Sequence, residues 1–196
     1  MQNFKELGIS DKTVKTLEEM GFKEPTPIQK ESIPYTLEGK DILGQAQTGT
    51  GKTGAFGIPL IEKVVGKSGV QALILAPTRE LAQQLYQAAN HLSSFKEGVN
   101  AKLFIGGTDI EKDRQRCNQQ PQLVIGTPTR INDLAKSGHL HTHLASYLII
   151  DEADLMIDLG LIEDVDLIAS RLEDSSNIAV FSATIPKSLQ PFLNKY

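Results

Sequence analysis

The chain has one cysteine, no long apolar run and no excess of positive charge, and each shortage excludes something. With Cys117 as the only cysteine in 196 residues, no internal disulfide can form. Set in the polar run Asp113-Arg114-Gln115-Arg116-Cys117-Asn118, its thiol reads as solvent-side or half-buried. No window approaches the roughly 18 uninterrupted apolar residues of a membrane span, and the first residues lack a basic segment followed by an apolar one. A cytoplasmic protein with no membrane partner is therefore expected. The formal charge of -4 argues against a general nucleic-acid binder, because phosphate neutralisation shows as a basic excess. A few placed contacts from Arg79, Arg130, Arg114 and Arg116 stay compatible with it, although a solvated face is the plainer reading of the last two. Repeats, linkers and disordered tracts are missing as well, and 40% hydrophobic with 22% charged residues is ordinary for a globular fold. The length suits one domain, residues 1–196.

What is present alternates short apolar runs with helical patterns. Strands are predicted at Asp41-Ile42-Leu43-Gly44, Gln71 to Ala76, Ala101 to Ile105, Gln122 to Gly126, Tyr147 to Ile150 and Asn177 to Phe181. Helical stripes run from Lys52 to Val65 and from Arg79 to Leu92, with a further helix from Pro186. Two short helices, Asp11 to Met20 and Pro27 to Leu37, precede the first strand. Continuous apolar runs indicate strands covered on both faces, and the spacing suits right-handed crossovers. The expected fold is α/β, a doubly wound parallel sheet. Ligands of such sheets sit at the carboxyl ends of the strands, where the chemistry-bearing residues cluster.

The first cluster is Ala46-Gln47-Thr48-Gly49-Thr50-Gly51-Lys52-Thr53. Gly49 and Gly51 let backbone amides turn inward around a polyphosphate, and the helix that follows offers its N-terminus to the negative charge. Lys52 then reaches the β- and γ-phosphates, and the Thr53 hydroxyl can ligate Mg²⁺. Ala46 stands where the usual pattern has glycine; that residue only begins the turn. The second cluster is Asp151-Glu152-Ala153-Asp154. Alone, it could be a helix cap, with Asp151 as cap and Asp154 favouring the dipole. Downstream of a phosphate loop, Asp151 reads instead as the residue that holds Mg²⁺ through water. Glu152 reads as the group that orients and deprotonates the water attacking the γ-phosphate. ATP and Mg²⁺ are the implied ligands.

With Ser182-Ala183-Thr184 following in order, these motifs resemble the first of the two RecA-like domains of a bacterial DEAD-box RNA helicase, over essentially all 196 residues. The resemblance implies a RecA-like P-loop domain and an ATP-dependent activity that unwinds RNA. Phe4, then Gly21-Phe22-Lys23-Glu24-Pro25-Thr26-Pro27-Ile28-Gln29, match the family's adenine-recognising element. By resemblance, Gln29 reads the adenine edge, Thr26 braces the phosphate loop, and Phe4 packs near the base with Phe22 beside it. Pro77-Thr78-Arg79-Glu80-Leu81-Ala82, Gly106-Gly107 and Thr127-Pro128-Thr129-Arg130 match RNA-facing elements, so Thr78, Arg79, Gly107, Thr127 and Arg130 are implied to touch one RNA strand. Ser182 and Thr184 are implied to hydrogen-bond near Asp154, coupling nucleotide state to domain closure, and with Lys52, Asp151 and Glu152 to make up the catalytic set.

The match has departures. Thr129 replaces the family's usual glycine, where a threonine could cap the following helix, and Leu161 replaces a common phenylalanine. Residues 1 to about 82 look like one bacterial branch and the rest like another, which suggests a recombined or engineered domain. The second RecA-like domain, which in the family supplies arginines to the γ-phosphate, is not in the sequence. The chain is therefore read as one monomeric module of a longer protein, nearly inactive alone. Two alternatives stay open: a P-loop ATPase acting on DNA or protein, and a non-enzymatic nucleotide sensor.

Overall fold

The computed structural model describes residues 3–46 and 52–196, with Lys52 described through its backbone alone. Six strands, β1 (Ile42–Gln45), β2 (Ala72–Leu75), β3 (Ala101–Phe104), β4 (Leu123–Gly126), β5 (Tyr147–Ile150) and β6 (Asn177–Ser182), form one sheet in the order β1-β6-β5-β2-β4-β3. Every pairing in it is parallel. The helices described are α1 (Asp11–Glu19), α2 (Pro27–Leu37), α3 (Lys52–Lys63), α4 (Arg79–Ser93), α5 (Ile110–Arg116), α6 (Pro128–Lys136), α7 (Ala153–Asp158), α8 (Ile162–Ser170) and α9 (Gln190–Lys195). The expected doubly wound α/β architecture is present, with element ends shifted by a residue or two. Pro186 starts a short 3₁₀ turn, Lys187–Leu189, that leads into α9. No helix among the described residues is long and apolar enough to cross a membrane.

Side chains alternate across the pleat, so successive strand residues feed two separate cores. Ala72, Ile74, Ile125, Ile149 and Phe181 face α1 to α4, whereas Leu73, Leu75, Val124, Leu148, Ile150 and Val180 face α5 to α9. The topology explains the division. Passing from β1 to β2 and on to β3, the chain moves one way along the sheet and lays α3 and α4 on one face. From β3 through β4 and β5 to β6 it returns the other way. A right-handed crossover that reverses direction must change faces, so α5 to α8 cover the opposite side. Full burial on both faces is why β2 and β4 read as unbroken apolar runs.

Cys117 corrects one expectation. It is 2% exposed and packs in the second core. The polar run before it is not all solvent-facing, since Asp113 is buried too, and Cys117 follows as the C-cap residue of α5. Burial, and after it the nearby Asp113 carboxylate, push the thiol up to about 11.

Candidate functional site

Because every strand is parallel, all six carboxyl ends open on one rim. Gln45 pairs with Ser182, and the Ala46 N–H donates to the Ser182 carbonyl at 3.1 Å. The Asp151 N–H donates to the Leu75 carbonyl at 3.0 Å, and the Thr127 N–H to the Phe104 carbonyl at 3.1 Å. The segment between β1 and α3 therefore starts beside Ser182, one strand from Asp151. Thr48, Gly49, Thr50, Gly51 and the Lys52 side chain lie outside the described residues, so their expected phosphate contacts are not drawn from the structure. Thr53, half-buried, stands in the first turn of α3.

The acidic motif and the Ser182-Ala183-Thr184 motif meet through hydrogen bonds. Thr184 donates to Asp154 Oδ2 from both its N–H (3.1 Å) and its Oγ1 (3.0 Å), while the Asp154 N–H donates to Ser182 Oγ at 3.0 Å. Burial pushes the Asp154 carboxyl up, but the bonds from Thr184, the Leu155 N–H and Ser182 outweigh it and hold the group below its ordinary value. Asp151 is buried, with Oδ1 accepting the Glu152 N–H at 3.0 Å. It does not cap α7. The cap position belongs to Glu152, whose backbone is left-handed at φ 55 and ψ 49, the one non-glycine residue with positive φ among those described. A Cβ in that region is strained by roughly 1–2 kcal/mol. Sequence inspection offers no sign of it, since no glycine or asparagine marks the turn.

Residues expected to recognise a base cluster beside the start of α3. Gln29 is 1% exposed, its Oε1 accepts the Thr26 N–H at 3.0 Å, and a Cβ on Gly54 would lie 2.4 Å from its Nε2. The Thr26 hydroxyl at the same corner is buried and faces the Gln29 N–H in the capping box that starts α2. The Phe4 ring is 3% exposed within the first core, and Phe22 packs against that core. Phe4 is thus a buried residue of the first core.

The expected RNA-facing residues lie along the β2, β4 and β3 end of the rim. Thr78 caps α4 by accepting the Leu81 N–H at 3.2 Å. Arg79 is exposed and donates to the Gly106 carbonyl at 3.1 Å. Gly107 has φ +83, a conformation that favours glycine, whereas a Cβ there would meet only the movable end of the exposed Arg79 side chain. Thr127 is the N-cap residue of α6 but makes no side-chain cap bond. Thr129 is no cap; its hydroxyl donates to Asp164 Oδ2 on α8 at 3.0 Å. Arg130 points into the fold, where Nη1 meets Asp113 Oδ2 at 2.6 Å. Arg114 and Arg116 are tied to Glu111 and Asp113 respectively, which leaves little of the free positive surface considered for them.

Comparison with known proteins supplies the context. The family model described as DEAD/DEAH box helicase matches residues 26–192. The chain belongs to that family. It is 66% identical over 194 residues to the DEAD-box ATP-dependent RNA helicase CshB of Staphylococcus aureus, covering 98% of this chain and 43% of that protein. This alignment runs through residue 82, the expected meeting point of the two halves of the chain. A DEAD box protein from Methanococcus jannaschii superimposes with a TM-score of 0.95 at 38% identity, covering 100% of this chain and 54% of that one. A hypothetical ATP-dependent RNA helicase from Sulfolobus tokodaii gives 0.88 at 31% identity over 96% of this chain and 55% of its own length. The chain thus spans about half the length of the relatives it matches and corresponds to the RecA-like half that in this family takes ATP and Mg²⁺.

Proposed function

We propose that this domain binds ATP with Mg²⁺ where the ends of β1, β5 and β6 meet, and offers half of an RNA track along the ends of β2, β4 and β3. The parent activity is RNA-dependent ATP hydrolysis coupled to duplex unwinding by a monomeric, cytoplasmic protein. One observation carries the reading: Asp154 joins α7 to the strand end at Thr184 by two hydrogen bonds, so the acidic motif and the putting-together of the rim form one unit. The donor set fits the cofactor. The Thr53 hydroxyl and the Asp151 carboxylate are oxygen donors, as suits Mg²⁺, which is held by one or two protein oxygens together with phosphates and water.

In this reading Thr53 and Asp151 hold Mg²⁺, which would neutralise phosphate charge, and Lys52 meets the phosphates directly. Glu152 takes the proton of the attacking water, and Gln29 recognises the base. Thr78, Arg79, Gly107 and Thr127 contact RNA phosphates and 2′-hydroxyls, giving position without sequence choice. A second RecA-like domain closes the other side and brings cationic donors to the transition state, worth about 10³ to 10⁵ in rate where such an arginine comes from outside. The test is steady-state phosphate release by residues 1–196 alone and joined to the second RecA-like domain of a relative. The joined form should be stimulated by single-stranded RNA and not by DNA, and the lone domain should be nearly silent. Equal stimulation by DNA, or none by either, would refute the reading.

A further inference from the structure

Two arginines grip the loop that follows β3 from opposite sides. Arg79, from α4, donates to the Gly106 carbonyl, and Arg130, from α6, donates from Nη2 to the Thr108 carbonyl at 3.0 Å and from Nη1 to Thr108 Oγ1 at 3.3 Å. The second grip depends on Asp113. Its side chain is 5% exposed and that of Arg130 10%, and they meet at 2.6 Å. Asp113 Oδ2 also lies 3.4 Å from Thr108 Oγ1, and its Oδ1 accepts from Arg116 Nη1 at 3.3 Å, while the same Arg116 nitrogen donates to the Leu103 carbonyl at the end of β3.

A carboxylate this buried is tolerated only when paired and hydrogen-bonded. Here its partners are the guanidinium of α6 and the hydroxyl of the loop, so the three groups are locked together. An arginine with its head sunk in this pair offers little to a phosphate outside. We infer that Asp113 is a positioning residue of the RNA-facing rim: it holds Arg130, and through Arg130 fixes Gly106 to Thr108 in the shape that meets RNA, while Arg130 itself contacts no phosphate. This rests on the RNA reading proposed above.

The experiment compares Asp113→Asn, Arg130→Gln and their combination in the joined two-domain form, with hydrogen exchange of residues 105–110 read in parallel. Asp113→Asn should raise the KM for single-stranded oligouridylate about threefold to thirtyfold, which lies inside the range of coupling between groups in one network. The KM for ATP and kcat at saturating RNA should stay unchanged, the loop should exchange faster, and the double variant should be no worse than Arg130→Gln. Thr108→Ala, on an exposed residue, should give a smaller loss of the same kind and keeps the test open if a charge variant does not fold. An unchanged RNA KM in Asp113→Asn, or additive losses in the double variant, would overturn the inference alone. So would a fall of about 0.7 in the salt slope of RNA binding in Arg130→Gln, the mark of one lost phosphate contact on a single strand. Failure of RNA to stimulate the unmodified form would overturn the functional reading itself.

Discussion

At Glu152 the usual order of alanine and glycine should be inverted. Between strand and helix, exchanging alanine for glycine ordinarily costs about 0.5–1 kcal/mol, because the unfolded glycine has more conformations to lose. Glu152, however, sits at φ 55 and ψ 49, where a side chain bearing a Cβ is penalised by roughly 1–2 kcal/mol and glycine is not. The backbone is held there by the Asp151 N–H on Leu75, the Glu152 N–H on Asp151 Oδ1 and the Met156 N–H on the Glu152 carbonyl, so an alanine cannot relax without breaking them. Glu152→Ala and Glu152→Gly both remove the carboxylate, so whatever it contacts cancels in the comparison. The remainder favours glycine by about 0.75 kcal/mol at the centre of the two ranges, or about 2–3 °C in Tm for a chain of this length. Urea denaturation and calorimetry of the two variants measure it directly. An alanine variant equal to or more stable than the glycine variant would show that the turn is not strained. Neither should release phosphate in the joined form if Glu152 activates water.

Asp154 should contribute to acid sensitivity. Its folded carboxyl is held below the ordinary value of 3.8, so the unfolded state binds more protons there. The stability it adds is complete above that value and is lost as pH falls through the lower folded one. Thr184→Ala, which removes one of its donors, should raise the Asp154 pKa in carboxyl-carbon NMR titration and shrink this acid-side loss; an unmoved titration would refute the assignment. Cys117, buried with its thiol pushed up to about 11, should resist iodoacetamide at pH 8 in the folded chain and react once urea unfolds it. Rapid labelling of the native chain would mean that α5 opens or that the thiol faces solvent.

The strands were legible because burial on both faces leaves unbroken apolar runs, as at Ala72 to Leu75 and Leu123 to Gly126. Helix starts were legible where a local device marks them, as with Thr78 before α4 and proline at the head of α2. The rim followed from topology alone: once the strands are parallel, every strand-terminal motif must open on the same edge. Near neighbours in sequence, such as Asp154 and the turn it begins, needed little more.

What local pattern could not give was the direction in which long side chains turn. Arg130 and Arg79 look alike as arginines at helix starts, yet one is sunk against Asp113 and the other lies exposed on Gly106. Only the return of the chain from β3 to β4, which brings Arg130 of α6 to Asp113 of α5, joins the buried carboxylate to the charge that neutralises it. Cys117 was misjudged for a related reason, because the short α5 carries mostly polar residues, and which of its positions turn inward is set by the sheet beneath it rather than by an apolar stripe. The left-handed turn at Glu152 belongs to the same class: a strand end bonded to Leu75 and a helix that must pack on the second core leave one residue between them to absorb the change of direction. Composition, periodicity and motif order therefore determined the architecture and gathered the candidate site residues on one rim, while the tertiary structure decided which charges face outward, which are paired within the rim, and where the backbone is strained, since those depend on contacts between segments distant in sequence.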